Sequence, residues 1–207
     1  MLKYGLVPVL VGFSSSLLAN SLPSEILDYN HVYASAGSGS LNEDAGGNNN
    51  ASIFSLGLSH EMTDKWLILG DYAARFVHPN ESTTRTDTLM GGVGYKYRID
   101  QDFDFVASYL LGVTKSKAEL NESNVTLSSE TEFIHGAKIA LNYGFSRTWI
   151  ANGSIQFNRS DLFDEEVYHA GLRYLVTPKF AVGGFYNHRN GSEDRTNELG
   201  VNFLLEY

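Results

Sequence analysis

Apolar and polar residues alternate with a period of two over most of the chain after about residue 28. Residues 103–111 place five apolar side chains at every second position, and the segments that begin at Phe133, Trp149 and Tyr168 repeat the pattern. Helical i, i+3, i+4, i+7 stripes are not sustained there, and glycine interrupts nearly every segment. A period of two is typical of β-strands that have two unlike faces, so the pattern predicts an all-β fold.

Polar breaks of two alternating sizes separate these segments. The long breaks lie near residues 38–50, 78–85, 115–130, 158–165 and 189–197, and the short ones are residues 61–65, 99–102, 144–147 and 177–179. Long loops alternate with tight turns in the same way in antiparallel up-and-down transmembrane β-barrels. Five long loops and four short turns predict ten strands, the first around residues 29–36, with eight strands as the alternative.

The predicted strands are long enough to cross a membrane. Most run for about ten to fourteen residues; a tilted membrane strand needs about 9–11, and strands of soluble proteins average about five or six. Aromatic residues lie next to the short turns, where membrane barrels place their interfacial rings; they are Trp66, Phe103, Trp149, Phe180, Tyr97, Tyr143 and Tyr207. These features favour a transmembrane barrel over the alternative, a secreted β-sandwich.

The first residues have the features of an export signal. Lys3 gives a basic start, and an almost uncharged apolar stretch follows at residues 6–18, which is too short for a membrane helix of about 20 residues. Ala19 and Ser21 fit a small-x-small cleavage rule. We therefore predict a signal peptide at residues 1–21, cleaved after Ala19 or Ser21, and one barrel domain at residues 22–207. A buried first helix is the alternative.

Composition excludes several kinds of partner and site. The 207 residues have a formal net charge of -9 and a pI near 5.0, which argues against a nucleic-acid partner. Cysteine is absent, so disulfides and thiolate metal sites are excluded. The sequence has neither a phosphate-binding loop nor a metal-ligand spacing, and we predict no cofactor. The mean hydropathy of -0.19 is ordinary because lipid-facing and lumen-facing residues cancel in a membrane barrel.

Charged residues fall on the strand faces opposite the apolar rows and are expected to point into the lumen. Four are acidic and four are basic: Asp71, Arg75, Lys96, Asp104, Glu132, Lys138, Arg173 and Glu198. Equal numbers predict paired charges that brace and largely plug the interior, because a ten-stranded barrel is only slightly wider than the filled eight-stranded kind. We predict a structural or surface-interaction role, with a narrow channel or minor porin as the alternative.

Two groups of residues have a composition compatible with catalysis. His188, Ser192 and an acid at Glu193 or Asp194 offer a base, a nucleophile and an orienting group. Their order loosely resembles the His-x-Ser-Asn element of outer-membrane lipid A deacylases, although the spacing differs. The second group resembles the acidic rim of omptin-type barrel proteases, without a matching motif; it consists of Asp161, Asp164, Glu165, Glu166 and His169. We predict that the protein is not an enzyme, and a barrel hydrolase is the alternative.

The export signal, the Asp64-Lys65-Trp66 turn, the alternating strands and the aromatic C-terminus together resemble small β-barrels of the Gram-negative outer membrane, the OmpA-like or OmpX-like porin family. The resemblance implies a location in the bacterial outer membrane, contact with lipid and lipopolysaccharide, and delivery by periplasmic chaperones to the barrel-assembly machinery. It also implies that the last strand contains the assembly signal, formed by Val201, Phe203, Leu205 and Tyr207. The chain differs from the commonest pattern in its terminal tyrosine and its ten predicted strands.

Overall fold

A computed structural model describes residues 26–41, 50–78, 82–120, 126–192 and 195–207. Within these ranges, no helix has the length and apolar character of a membrane span. Ten strands run through the described residues: β1 (His31–Leu41), β2 (Asn50–Glu61), β3 (Trp66–His78), β4 (Ser82–Asp100), β5 (Phe103–Leu120), β6 (Thr126–Gly144), β7 (Trp149–Ser160), β8 (Asp164–Thr177), β9 (Phe180–Gly191) and β10 (Arg195–Glu206). The predicted signal peptide at residues 1–21 lies outside the described residues.

The sheet closes on itself. Consecutive strands pair in antiparallel fashion, and β10 pairs with β1 from His31 opposite Glu206 to Leu41 opposite Thr196. Closure pairs the backbone N–H and C=O groups of the first and last strands with each other. This pairing is necessary inside a membrane, because the hydrocarbon contains no water to which unpaired groups could bind. The predicted fold class, an all-β antiparallel transmembrane barrel of ten strands, is confirmed.

The two faces of the sheet differ in polarity. On β6, Ile139 lies on the outer face with 51% of its surface exposed, and its neighbour Lys138 lines the interior. On β8, Leu172 and Arg173 divide in the same way between the exposed outer face and the cavity. Large apolar side chains are exposed on every strand from β1 to β10. An apolar surface of this extent is covered by another apolar phase, which for a closed barrel is lipid.

Aromatic side chains form a belt around the end that has the short turns. Ring pairs join neighbouring strands there, with centroid distances of 5.2 Å for Trp66–Tyr95, 5.8 Å for Phe103–Tyr143 and 4.9 Å for Trp149–Tyr174. Amphipathic rings belong at the boundary between hydrocarbon and water. We call this the short-turn end, and the opposite end the long-loop end.

Three neighbouring strands continue beyond the length that a membrane requires. β4, β5 and β6 have 19, 18 and 19 residues, and β6 pairs with β7 only from Ile134 inward. The prediction of a loop at residues 115–130 is therefore wrong, because residues 115–120 and 126–130 belong to β5 and β6. Outside the membrane a strand has no lipid-facing side. Its outward residues are therefore no longer apolar, and the alternation that predicts a strand disappears, although the backbone pairing continues.

Gly57 leaves space for the ring of Tyr33. An ideal Cβ on Gly57 would lie 2.3 Å from Cε1 of Tyr33, and the Tyr33 hydroxyl donates a hydrogen bond to Asp71 on β3. We expect Gly57→Ala to lower the free energy of unfolding by about 1–3 kcal/mol, the usual cost of overpacking. Urea unfolding in lipid vesicles measures it.

Gly91→Ala is the matched control for that substitution. An ideal Cβ on Gly91 meets nothing closer than the carbonyl oxygen of Leu69, at 3.6 Å. This change should cost nothing, because a strand glycine gains rigidity when it becomes alanine. Equal losses for Gly57→Ala and Gly91→Ala would contradict a specific role for the space above Gly57.

Candidate functional site: the barrel lumen

The barrel encloses a cavity of about 760 Å³. All ten strands contribute to its lining, which extends from Leu27 at the short-turn end to Glu130 at the long-loop end. Between the short-turn end and the long-loop end, the cavity has three successive layers of different chemistry.

The first layer is apolar and contains the chain that precedes β1. Ile26, Leu27 and Tyr29 are buried there, and Ile26 packs so closely over Gly144 that an ideal Cβ on the glycine would lie 2.4 Å from Cγ2 of Ile26. The three residues form one cluster with inward-facing side chains from the strands around them, namely Leu67, Val106, Ile150, Leu175, Ala181 and Leu204. We call residues 26–30 the N-terminal stopper, because they fill the short-turn end with apolar side chains.

Hydrogen bonds from two backbone N–H groups of the barrel rim fix the end of the stopper. The side-chain Oδ1 of Asn30 accepts a hydrogen bond from the backbone N–H of Glu61 at 3.0 Å. The backbone carbonyl oxygen of Asn30 accepts another from the N–H of Tyr207 at 3.1 Å. The stopper therefore depends on β2 and on the last residue of the chain, and forms only when the barrel is closed.

Tyr29 joins the apolar layer to polar groups above it. Its hydroxyl accepts a hydrogen bond from Nδ2 of Asn142 at 3.1 Å, and the Lys96 ammonium lies 5.0 Å from the ring centroid, in the range of a cation–π interaction. Lys96 is also ion-paired with Glu61. Burial, together with the nearby Asp104 carboxylate, raises the pKa of Tyr29 above its ordinary value, so the phenol stays neutral in this layer.

The second layer is the polar middle of the cavity, which we call the chamber. His169 lies in its wall, with Nε2 2.8 Å from Nδ2 of Asn152 and Nδ1 2.7 Å from Oδ1 of Asn187. The amide nitrogen of Asn152 donates and the amide oxygen of Asn187 accepts, so this network holds the imidazole neutral with its hydrogen on Nδ1. Phe185 stacks on the ring at 5.9 Å. His169 is thus a fixed neutral part of the chamber wall.

The third layer is an ion network near the long-loop end. Glu198 has 0% exposure and lies 3.4 Å from Nε of Arg75 and 3.3 Å from Nε of Arg189. Arg189 also pairs with Glu165, whose Oε1 accepts a hydrogen bond from Nδ2 of Asn158 at 2.7 Å. We call Arg75, Glu165, Arg189 and Glu198 the outer ion network. Two arginines and two glutamates balance one another in it.

The eight charges predicted for the lumen meet different partners. Among the described residues, Arg75 and Glu198 form an ion pair in which both partners belong to the predicted eight. Others bind residues that were not predicted to take part: Lys96 pairs with Glu61, Asp104 with Arg98 at 3.4 Å, and Asp71 accepts a hydrogen bond from Tyr33.

The remaining three members of the set have other positions. Lys138 and Arg173 line the chamber. Glu132 lies two residues beyond Ile134, where the pairing of β6 with β7 begins, and it is absent from the cavity lining. Glu165 and Arg189 were not predicted to line the lumen because their segments were predicted to be loops, although each lies on the inward row of its strand.

The first catalytic candidate is not assembled. His188 lies on the outer face of β9, where Nδ1 is 2.9 Å from Oδ1 of Asn197 and the ring contacts Tyr168. Ser192 instead lines the cavity, so the sheet separates the base from the nucleophile. Glu193 and Asp194 lie outside the described residues.

The acidic candidate is dispersed as well. Asp164 lies 3.4 Å from Arg159, Glu165 belongs to the outer ion network, and Glu166 accepts a hydrogen bond from Tyr168 on the outer face at 3.0 Å. His169 contacts amides rather than carboxylates. No three side chains of metal-ligating type come together in the part of the chain that the structure describes.

The last strand presents the residues of the predicted assembly signal on the outside. Val201, Phe203, Leu205 and Tyr207 are all exposed. The Tyr207 hydroxyl donates to the carbonyl oxygen of Ser59 at 3.2 Å, which ties the end of the chain to β2. Recognition of this row by the assembly machinery stays a prediction.

No known protein family and no curated protein matches the sequence. Among solved structures, the β domain of the Bordetella autotransporter BrkA has a TM-score of 0.50 at 8% identity, over 87% of this chain and 100% of that one. Neisserial surface protein A gives 0.48 at 11% identity, covering 86% and 96%. The translocator domain of the autotransporter NalP from Neisseria meningitidis gives 0.48 at 9%, covering 86% and 88%. Likeness at this level concerns the fold alone: the chain is a transmembrane β-barrel of the outer-membrane type.

Proposed function

We propose that the protein is an integral barrel of the bacterial outer membrane that is closed to solutes at rest and acts through its surface outside the cell. The N-terminal stopper carries this proposal, because it fills the short-turn end of the lumen with buried apolar side chains. The short-turn end corresponds to the periplasmic side, since outer-membrane barrels have short periplasmic turns and longer outer loops. The long-loop end then faces the exterior.

The extended strands support a surface role. Residues 82–88, 114–120 and 126–132 continue the sheet beyond the membrane and are largely polar. Ion pairs lie on this extension, at 2.7 Å between Arg85 and Asp87 and at 2.5 Å between Lys117 and Glu119. A hydrated sheet standing above lipid is suited to contact with lipopolysaccharide head groups or with another surface.

A catalytic role is not part of the proposal. The two candidate groupings are divided between the faces of the sheet, and His169 is bonded to amides. The lipid contacts and the reading of the last strand by the assembly machinery are retained as proposals, supported by the exposed apolar row of β10.

Conductance in planar bilayers tests the closure. We expect the full chain to show no discrete steps at low voltage. The double variant Ile26→Asp/Leu27→Asp should show them, because two carboxylates cannot remain in an apolar layer without partners and the stopper must leave it. Met62→Asp is the control, since Met62 lies in a short turn at the same end with 59% exposure, and it should be as silent as the parent chain.

Two results would contradict the closure. Steps from the parent chain would favour the second candidate function, a narrow channel, for which the 760 Å³ cavity is the supporting observation. Silence of the Asp/Asp variant, with its fold intact by circular dichroism, would show that the N-terminal stopper is not what closes the lumen.

A further inference from the structure

The basic side chains of the lumen fall into two classes. Arg75, Lys96 and Arg189 each have a carboxylate partner. The side chains of Lys138 and Arg173 form no ion pair and no hydrogen bond with the described residues, although both line the same cavity. Ionic side chains away from bulk water are normally paired, so these two cations are unlike the other basic side chains of the lumen.

Lys138 faces only a distant and already engaged carboxylate. Asp71, on β3, acts on it electrostatically but beyond ion-pair distance. That carboxylate accepts the hydrogen bond of the Tyr33 hydroxyl. The ammonium therefore lines the chamber without an acceptor among the described residues.

The guanidinium of Arg173, nearer the N-terminal stopper, also lacks an ion-pair partner among the described residues. Its Nε is buried and has no hydrogen-bond partner, and Tyr29 and Glu206 influence the guanidinium only at longer range. A buried N–H donor left unbonded is rare in folded proteins and indicates a water molecule or an ion that completes the site.

A neutral wall separates the two cations. His169 lies within the electrostatic range of both Lys138 and Arg173, and its hydrogen bonds to two amides hold it uncharged. Gly171, two residues from Arg173 along β8, leaves room for this wall, because an ideal Cβ on it would lie 2.6 Å from Oδ1 of Asn152 and 3.0 Å from Nε2 of His169. The chamber thus has two positive groups, close enough to act on each other electrostatically, beside an uncharged, polar wall.

We propose that the chamber is a binding site for a small organic dianion, one oxyanion held by Arg173 and the other by Lys138. The planar guanidinium can bind a carboxylate, sulfonate or phosphate through two parallel hydrogen bonds, and the ammonium binds the second group as a point charge. Only the direction of access, from the long-loop end, rests on the proposed closure by the N-terminal stopper.

Isothermal titration of the full chain in nanodiscs tests the site, with succinate as the probe. We expect saturable binding with a Kd of about 1 mM or tighter, weakening as salt is added. Arg173→Gln and Lys138→Gln should each weaken it by at least about tenfold. Lys115→Gln, which removes an exposed cation from the strand extension, should leave the affinity unchanged. Succinamide, the neutral analogue, should not bind.

Arg173→Lys separates a binding role from a purely structural one. It keeps the charge but loses the planar fork, so its affinity for succinate should lie between those of the parent chain and Arg173→Gln, at an unchanged urea midpoint. Absence of saturable heat with the parent chain, equal binding of succinamide, or full affinity in both glutamine variants would overturn the proposal. Conductance does not enter this measurement, so failure of the anion site and failure of the closure are distinguishable.

Discussion

Replacing Ile139 by arginine is expected to lower the free energy of unfolding by about 2–4 kcal/mol, the cost of a cation on the lipid face near mid-membrane. Ile139 lies on the outer face of β6, between Phe133 toward the long loops and Tyr143 in the aromatic belt. The arginine has no partner in hydrocarbon and must reach a distant interface or draw water inward. Urea unfolding in phospholipid vesicles measures the change.

Leu127→Arg is the control for that substitution. Leu127 is on the same strand, with 57% exposure, but it lies beyond the last pairing of β6 with β7, at the register shift between β5 and β6 on the extension that stands in water. Its replacement should change the free energy of unfolding by no more than about 0.5 kcal/mol, as at other solvated surface positions. Equal losses at both positions would place the whole of β6 in one environment and contradict the membrane boundary between them.

The direction of each side chain within the membrane could be predicted from sequence. In a closed barrel the period of two has a single physical meaning, lipid on one side and lumen on the other. The alternation therefore assigned Ile139 and Leu172 to the lipid face, and their neighbours Lys138 and Arg173 to the lumen, in agreement with the structure. The same rule failed at residues 115–130, because water lies on both sides of the strand extension and its outward row is no longer apolar.

Partners within the lumen could not be predicted from sequence. The alternation of residues along each strand indicates that Arg75 and Glu198 both point inward. Whether they contact each other depends on the stagger of β3 against β10 around the closed sheet. Glu61 and Arg189 were overlooked for a related reason. Polar residues at the end of a strand resemble the turn or loop that follows, although their inward position is still fixed by the alternation.

The N-terminal stopper could not be foreseen either. Ile26, Leu27 and Tyr29 show no period, and three apolar residues ahead of a strand have no distinctive pattern. Their burial depends on side chains from β3, β5, β7, β8, β9 and β10 that come together only when the barrel closes. The chamber is a consequence of the same closure, so its two unpaired cations appear only in three dimensions.

Neutralising Glu198 is expected to have an effect as large as the lipid-face change. Glu198→Gln keeps the size of the side chain but leaves Arg75 and Arg189 near each other with one carboxylate, Glu165, instead of two. Breaking a buried charge network from one side costs about 3–5 kcal/mol, because the remaining charge stays out of water without compensation. Glu166→Gln is the control, since that carboxylate lies on the outer face and bonds to Tyr168, and it should cost no more than about 0.5 kcal/mol.

A second substitution separates loss of charge balance from loss of packing. Arg75→Gln removes the cation 3.4 Å from Glu198, so the double variant Glu198→Gln/Arg75→Gln leaves Arg189 and Glu165 as a balanced pair. If electrostatics dominates, the double variant should lose less stability than the sum of the single losses, by at least about 1 kcal/mol of coupling. Additive losses would mean that water in the cavity screens the two side chains separately. In that case the long-loop end of the lumen would be hydrated space, and Glu198 would contribute through its hydrogen bonds with Thr196 and Asn187.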